Sequence, residues 1–256
     1  MVKSLLFLLG VFFMNAVNAN EIIKKDIVYK DGKTELLGYI VHQAGIDVSR
    51  APVVVVIHNW LGVTDETLAK ATDMADAGFV ALVADIYGKG VRPTTPTEAA
   101  SVAGLYKKDL KLLRKRVDLA VKEAKKLKSK NVFVAGYCFG GTAAIEYARS
   151  GAEIKGAISF HGNVYPSLDD KNIKSELLVL HGALDKAMTK EEVDGFLKSL
   201  NEQKVSYEFN SYSGAVHSFT DKTKMGADIS TNSAYNEKAD KRSWNAFTYF
   251  VKENSK

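Results

Sequence analysis

The fold is decided by residues 131–141, which read NVFVAGYCFGG. The apolar residues 131–135 predict a buried strand, and a helix is predicted to begin near Gly140. Gly136 and Gly140 stand two residues before and two after Cys138, where a tight strand-to-helix turn needs small side chains. This turn is typical of a nucleophile elbow, which exposes a thiol at a helix N-terminus and favours the thiolate. We therefore predict Cys138 to be a nucleophile; the alternative is a buried structural thiol.

Strands and helices alternate outward from this stretch in both directions. The uninterrupted run VVVVI at residues 53–57 is typical of a central strand covered on both faces. Residues 92–96 predict an exposed excursion. Other strands are predicted at residues 27–30, 36–42, 79–84, 154–159, 177–180 and 205–209, and helices at residues 64–77, 107–130, 140–150, 189–200 and 236–251. The pattern predicts an α/β protein with a mostly parallel central sheet, helices on both faces and ligands bound beyond the C-terminal ends of the strands.

Partners for the thiol are sought after Cys138, because hydrolases with this elbow supply nucleophile, acid and histidine in that order. Asp185 follows a predicted strand end, where it can hold an imidazole in the right tautomer. His217 lies after the last strand in a loop of small residues that can bring its ring over the elbow. His161 and His181 fit the order less well. The sequence therefore predicts His217 as the base and Asp185 as the acid.

Composition is that of one globular domain, with 256 residues, 46% of them hydrophobic and 25% charged. The net charge of +5 comes from basic residues interleaved with acidic ones, so we expect no nucleic-acid partner. The single cysteine excludes an internal disulfide. With five histidines and no metal-ligand spacing, we expect neither a metal site nor a cofactor.

The N-terminus reads as a secretory signal peptide. Lys3 precedes an apolar run at residues 5–14, which is followed by small and polar residues up to Ala19. We expect cleavage after Ala19, so that residues 1–19 are removed and residues 20–256 form a single domain. An uncleaved anchor is the alternative. The mature protein is expected to be exported, periplasmic or secreted, without stable membrane insertion, and to be a monomer or small homo-oligomer.

With these residues placed, the chain resembles the dienelactone hydrolase family from about Ile27 to its C-terminus. The matching segments are residues 57–62, 84–88, 136–141, 181–185 and 217–219. The resemblance implies an α/β-hydrolase fold and a Cys-His-Asp triad formed by Cys138, His217 and Asp185. It also implies an oxyanion hole made by the backbone N–H groups of Trp60 and Phe139.

The sequence departs from that family in the implied substrate pocket, where Tyr87 is also expected. Asn59 stands where the family usually has glutamate, and Lys89 and Asp221 stand where it places arginines for a substrate carboxylate. An acid there would repel a carboxylate, so dienelactone itself is not the expected substrate. We expect a small-molecule ester, lactone or thioester, cleaved through an acyl-enzyme. The alternatives are a non-catalytic binding protein on the same fold and a cysteine peptidase or amidase.

Overall fold

The computed structural model describes residues 21–256, so the predicted signal peptide at residues 1–19 lies outside the described residues. Within residues 21–256, eight strands form a single sheet in the order β1-β2-β4-β3-β5-β6-β7-β8. The strands are β1 Ile22–Asp31, β2 Thr34–Gln43, β3 Val53–Ile57, β4 Val80–Ala84, β5 Val132–Tyr137, β6 Gly156–Phe160, β7 Glu176–Gly182 and β8 Tyr207–Tyr212. β1 pairs antiparallel with β2, and β2 with β4, whereas the other neighbours pair in parallel.

Burial explains the apolar runs in the middle of the sheet. Every residue of β3, β4, β5 and β6 is buried, because helices cover both faces of these strands. β8 lies at the sheet edge and has no fully buried residue. The predicted fold class, an α/β-hydrolase fold with a mostly parallel sheet, is confirmed.

In the described part of the chain, six α-helices cover the two faces of the sheet. They are α1 Asp65–Asp76, α2 Pro96–Lys108, α3 Leu110–Lys125, α4 Phe139–Ala148, α5 Lys190–Glu202 and α6 Glu237–Glu253. Val54 and Val56 of β3 pack in one cluster with buried residues of α1 and α6. Val53, Val55 and Ile57 face the opposite way, into a cluster with α2, α3 and α4. No helix within residues 21–256 is long and apolar enough to cross a bilayer.

The prediction of one helix over residues 107–130 is wrong. The structure has two helices there, α2 and α3, separated at Asp109. Asp109 leaves the helical conformation with φ −111° and ψ 80°, and its carboxylate accepts the Leu112 N–H at 2.9 Å. The first helix starts at Pro96 after the N-cap Thr95, so the excursion at residues 92–96 is shorter than predicted. A carboxylate that satisfies a free helical N–H favours a new helix start over continuation of the old one.

Candidate active site

The backbone around Cys138 forms a strained turn between β5 and α4. Cys138 has φ 55° and ψ −114°, and its N–H donates to the Phe160 carbonyl on β6 at 3.0 Å. A Cβ on Gly136 would lie 2.1 Å from the carbonyl oxygen of Gly140. One on Gly140 would lie 2.3 Å from the carbonyl oxygen of Ile57. Both glycines are therefore required by the close approach of three backbone segments.

The Cys138 side chain lies at the N-terminus of α4. The carbonyl of Cys138 accepts the N–H groups of Gly141 and Thr142 at 3.0 and 3.2 Å, which starts the helix. All ten residues of α4 are buried, so the helix and its cap are fixed by packing on every side. A helix N-terminus favours negative charge, so this position suits a sulfur that carries negative charge.

The structure brings the three predicted residues Cys138, His217 and Asp185 into contact. The Sγ of Cys138 lies 3.0 Å from His217 Nε2, and His217 Nδ1 lies 2.8 Å from Asp185 Oδ2. Burial alone would lower the pKa of His217, but its hydrogen bonds to Asp185 and Cys138 outweigh burial and raise the pKa to about 10. The imidazole is thus held in its protonated form at neutral pH.

Asp185 has a second set of contacts, which the sequence did not predict. Its Oδ1 atom accepts the Ala187 N–H at 2.9 Å and the side-chain amide of Asn232 at 3.0 Å. Burial would raise the pKa of Asp185, but the hydrogen bonds from His217, Ala187 and Asn232 lower it below its usual value. No sequence motif marks Asn232. In the structure its backbone has a left-handed φ of 60°, a conformation that asparagine tolerates well.

The remaining described histidines near the strand ends do not contact the thiol. Burial lowers the pKa of His58 to about 4; its Nδ1 bonds the Asn59 carbonyl at 2.6 Å and its Nε2 accepts the Ile86 N–H at 3.3 Å. His161 is buried, bonded to Thr220 Oγ1 at 2.9 Å, with its ring 5.3 Å from that of His217. His181 packs on the ring of Phe209. These histidines occupy structural positions around the site.

Two backbone N–H groups stand at the positions that the family resemblance implies for an oxyanion hole. Among the described residues, neither the Trp60 N–H nor the Phe139 N–H has a hydrogen-bond acceptor. The turn after β3 is held on both sides of Trp60: Asn59 Oδ1 accepts the Leu61 N–H at 2.9 Å, and the Tyr87 hydroxyl donates to the Trp60 carbonyl at 3.2 Å. The turn is therefore fixed by side chains from its own loop and from the segment after β4.

The residues that depart from the family pattern have other partners. Asn59 donates to the carboxylate of Glu66 at 2.7 Å. Burial and the neighbouring Asp221 raise the pKa of Glu66. Asp221 caps a short 3-10 helix at Lys222–Lys224, and the half-exposed Lys89 lies 3.4 Å from Glu35. Asp221 thus acts on Glu66, the partner of Asn59, whereas Lys89 pairs with an exposed carboxylate.

Metal-ligating side chains do not gather in the described part of the chain. Within residues 21–256, no group of three or more His, Cys, Asp or Glu residues is placed to hold a metal ion. The hydrogen-bonded thiol, imidazole and carboxylate are a set suited to nucleophilic attack by sulfur with proton transfer through the imidazole.

Comparison with known proteins matches most of the chain to one protein family. The sequence pattern of the dienelactone hydrolase family matches residues 37–255. A Bradyrhizobium sp. protein named "Probable 2-oxo-3-(5-oxofuran-2-ylidene)propanoate lactonase" is 31% identical over 185 residues, which cover 66% of this chain and 74% of that protein. The human carboxymethylenebutenolidase homolog is 24% identical over 195 residues, covering 74% of this chain and 78% of that protein.

A solved structure is similar over nearly the whole described chain. The crystal structure of a dienelactone hydrolase-like promiscuous phosphotriesterase from metagenomic libraries superposes with a TM-score of 0.84 and is 30% identical in sequence. The superposition covers 91% of this chain and 98% of the other. The similarity therefore extends across the entire sheet and the helices that cover it.

Proposed function

Because the chain belongs to the dienelactone hydrolase family and is a hydrolase of ester or lactone bonds, we propose that it acts through the thiol of Cys138. His217 and Asp185 complete the proposed triad, and the N–H groups of Trp60 and Phe139 form its oxyanion hole. The observation that carries this proposal is the unbroken hydrogen-bond line from Sγ through the imidazole to the carboxylate, at 3.0 and 2.8 Å.

The first step is attack of sulfur on the carbonyl carbon of an ester or lactone. With its proton on His217, the sulfur forms the S–C bond while the carbonyl oxygen becomes an oxyanion between the two N–H groups. Collapse of the tetrahedral intermediate breaks the bond to the leaving oxygen, which takes the proton from His217 Nε2. The product of this step is a thioester on Cys138 and an alcohol, which leaves when the substrate is an ester and remains attached to the acyl group when it is a lactone.

Water completes the cycle through the same groups. Neutral His217 takes a proton from water as the water oxygen attacks the thioester carbonyl, and the second oxyanion occupies the same N–H pair. Breaking the S–C bond releases the carboxylic acid and restores the thiolate beside the imidazolium. Asp185 holds the imidazole in one orientation throughout and stabilises its positive charge.

We propose an uncharged substrate rather than a carboxylate. The Bradyrhizobium relative is named for a propanoate, which carries a carboxylate. In this chain, Lys89 lies 3.4 Å from Glu35. Glu66 accepts from Asn59 in the turn that presents Trp60, and Asp221 lies near enough to raise the pKa of Glu66. A substrate carboxylate brought beside these two carboxyl groups would be repelled.

The direct test is hydrolysis of neutral nitrophenyl esters and lactones by Cys138→Ala and His217→Ala. Each variant is expected to lose on the order of a thousandfold or more in kcat/KM, because the triad acts as a unit. His42→Ala is the matched control, since His42 lies in β2 and its ring bonds a neighbouring backbone carbonyl. Wild-type rates in Cys138→Ala, with the same thermal stability as the parent, would contradict the proposed nucleophile.

We also propose that the enzyme is exported and that residues 1–19 are removed. The support is the arrangement of Lys3, the apolar residues 5–14 and the small residues before Ala19. Expression of the full chain in a bacterium, followed by fractionation and N-terminal sequencing, is expected to yield a periplasmic or secreted protein that begins at Asn20. Recovery of a chain that retains residues 1–19 in the cytoplasmic fraction would contradict this.

A further inference from the structure

The segment at residues 232–236 pairs with the loop that carries His217. Ser233 forms a parallel bridge with His217, and the Ala234 N–H donates to the His217 carbonyl at 3.3 Å. Two residues further on, the Asn236 N–H donates to the Phe219 carbonyl at 3.0 Å. The segment therefore fixes the backbone of the proposed base.

The same segment reaches the proposed acid through one side chain. Asn232 donates its amide to Asp185 Oδ1 at 3.0 Å and accepts the Lys186 N–H on its carbonyl oxygen at 2.8 Å. These two partners settle the orientation of the amide, because a backbone N–H can only donate and an ionised carboxylate can only accept. The left-handed backbone of Asn232, with φ 60° and ψ 18°, aims the side chain at both partners.

The two oxygens of Asp185 thus have separate tasks. Oδ2 accepts from His217 at 2.8 Å, and Oδ1 is held by Ala187 and Asn232 at 2.9 and 3.0 Å. The side chain of Asp185 is 2% exposed, so solvent has little access to replace a lost donor. With Oδ1 held by two donors, rotation of the carboxylate away from the imidazole is opposed.

We propose that Asn232 is a positioning residue of the hydrolytic site, which holds Asp185 in register with His217 and links both to the segment after the base. This rests on the proposed function of Cys138, His217 and Asp185. Asn232 contacts neither the thiol nor the imidazole through its side chain, so it acts through Asp185 alone. Side chains that orient a functional group in this way typically contribute 10- to 100-fold to activity, by analogy with the residues behind metal ligands.

The charged state of the pair should respond to loss of this contact. The groups that face Asp185 are His217, which pairs with it, and His181 and His161, whose titration Asp185 also influences. The Asn232 amide helps to lower the pKa of Asp185. Without that donor the carboxylate can rotate away from His217 Nδ1, so the imidazole holds the proton taken from Cys138 less well.

The experiment compares Asn232→Gly and Asn232→Asp with the parent. Glycine keeps the left-handed backbone and removes both side-chain bonds. Aspartate keeps the shape and the bond to Lys186, but it cannot donate to Asp185 and repels it. We expect kcat to fall about 10- to 100-fold in Asn232→Gly and further in Asn232→Asp, with KM within about threefold of the parent. The pH midpoint for alkylation of Cys138 by iodoacetamide is expected to rise in both variants.

A matched control in the same loop is Asp228→Ala. Asp228 caps the short 3-10 helix at Ile229–Thr231 by accepting the Ser230 N–H at 2.8 Å, and it does not touch Asp185. This variant loosens the loop without removing the Asn232 bond, and its kcat is expected to stay within about twofold of the parent. Equal losses in Asp228→Ala and Asn232→Gly would overturn the proposal, because loop rigidity would then explain both.

Two further outcomes separate this proposal from the one it rests on. Parent-like kcat and alkylation profile in Asn232→Gly, with Cys138→Ala inactive, would overturn the role of Asn232 and leave the nucleophile in place. Full activity in Cys138→Ala would instead contradict the role of Cys138 as nucleophile. The pH midpoint for alkylation of Cys138 in the Asn232 variants would then still show whether Asn232 affects the thiol. If circular dichroism shows that Asn232→Gly folds poorly, kcat and the pH profile of alkylation are compared between Asn232→Asp and the parent instead, with the same outcomes for the role of Asn232.

Discussion

The elbow at residues 132–148 and the loop at residues 221–236 hold the proposed site in opposite ways. In the elbow, every residue except Cys138 is buried, and the thiol is placed by backbone packing. In the loop most residues are exposed, and the carboxylate and imidazole are held by hydrogen bonds, one of them from Asn232. One half of the site depends on shape and the other on polar contacts.

This difference separates stability from chemistry. A change in the elbow alters the packing of a central strand and a buried helix, so it should affect folding before it affects the reaction. A change in the loop removes hydrogen bonds at a surface that tolerates movement, so it should affect the reaction with little effect on folding. We test this division first in the elbow, where the larger loss of stability is expected.

The largest effect is expected for Gly136→Ala. The new Cβ would meet the carbonyl oxygen of Gly140 at 2.1 Å, and neither backbone can move without disturbing β5 or α4. We expect the free energy of unfolding to fall by at least about 3 kcal/mol, measured by urea denaturation.

Gly226→Ala is the control from the loop. Gly226 has a positive φ, of 76°, but a Cβ there would meet no atom within 4 Å. The expected cost is about 1 kcal/mol, from the strained conformation alone. Equal losses of stability at Gly136 and Gly226 would remove the distinction between the two regions.

A loss of stability no larger than that of Gly136→Ala is expected as pH rises, and it arises at the imidazole of His217 in the polar half of the site. The pKa of His217 is raised to about 10 in the folded protein, against about 6.5 when unfolded. Below pH about 6.5 both states bind the proton and the stabilisation is complete; as pH rises toward 10 only the folded state retains it, so the stabilisation is lost. We expect a loss of up to about 3 kcal/mol between pH 6 and 9, measured by urea denaturation at each pH.

His217→Gln supplies the reference for this measurement. It removes the titrating ring, so the decline between pH 6 and 9 should be shallower than in the parent. Groups that do not contact His217 titrate alike in the two proteins and cancel in the difference. Parallel curves for the parent and His217→Gln would show that the imidazole is not held in its protonated form.

The elbow could be read from the sequence because it is built from local signals. An apolar run, two glycines at fixed spacing and the following helix all lie within residues 131–150. The order of Asp185 and His217 after Cys138 was likewise sufficient to select them, and the structure places the three side chains in contact. These features depend on short spacing or on the order of strands.

The contacts of the loop could not be predicted from the sequence, because they join residues far apart in the chain. Asn232 meets Asp185 across 47 positions, and no periodicity or motif relates them. Lys89 has Glu35 as a partner across 54 positions, which an isolated sequence does not reveal. The division of α2 from α3 at Asp109 was missed for a related reason: a capping carboxylate resembles one more polar residue on the exposed face of a helix.

The most direct test of Cys138 as the nucleophile is mass spectrometry of the enzyme after it is quenched in acid during turnover of a neutral ester. A thioester on Cys138 requires attack by its sulfur, which no other proposed role for this residue would produce. We predict that the peptide containing Cys138 gains the mass of the acyl group, and that the corresponding peptide of Cys138→Ala does not. Recovery of the acyl group on another residue during turnover would contradict this prediction.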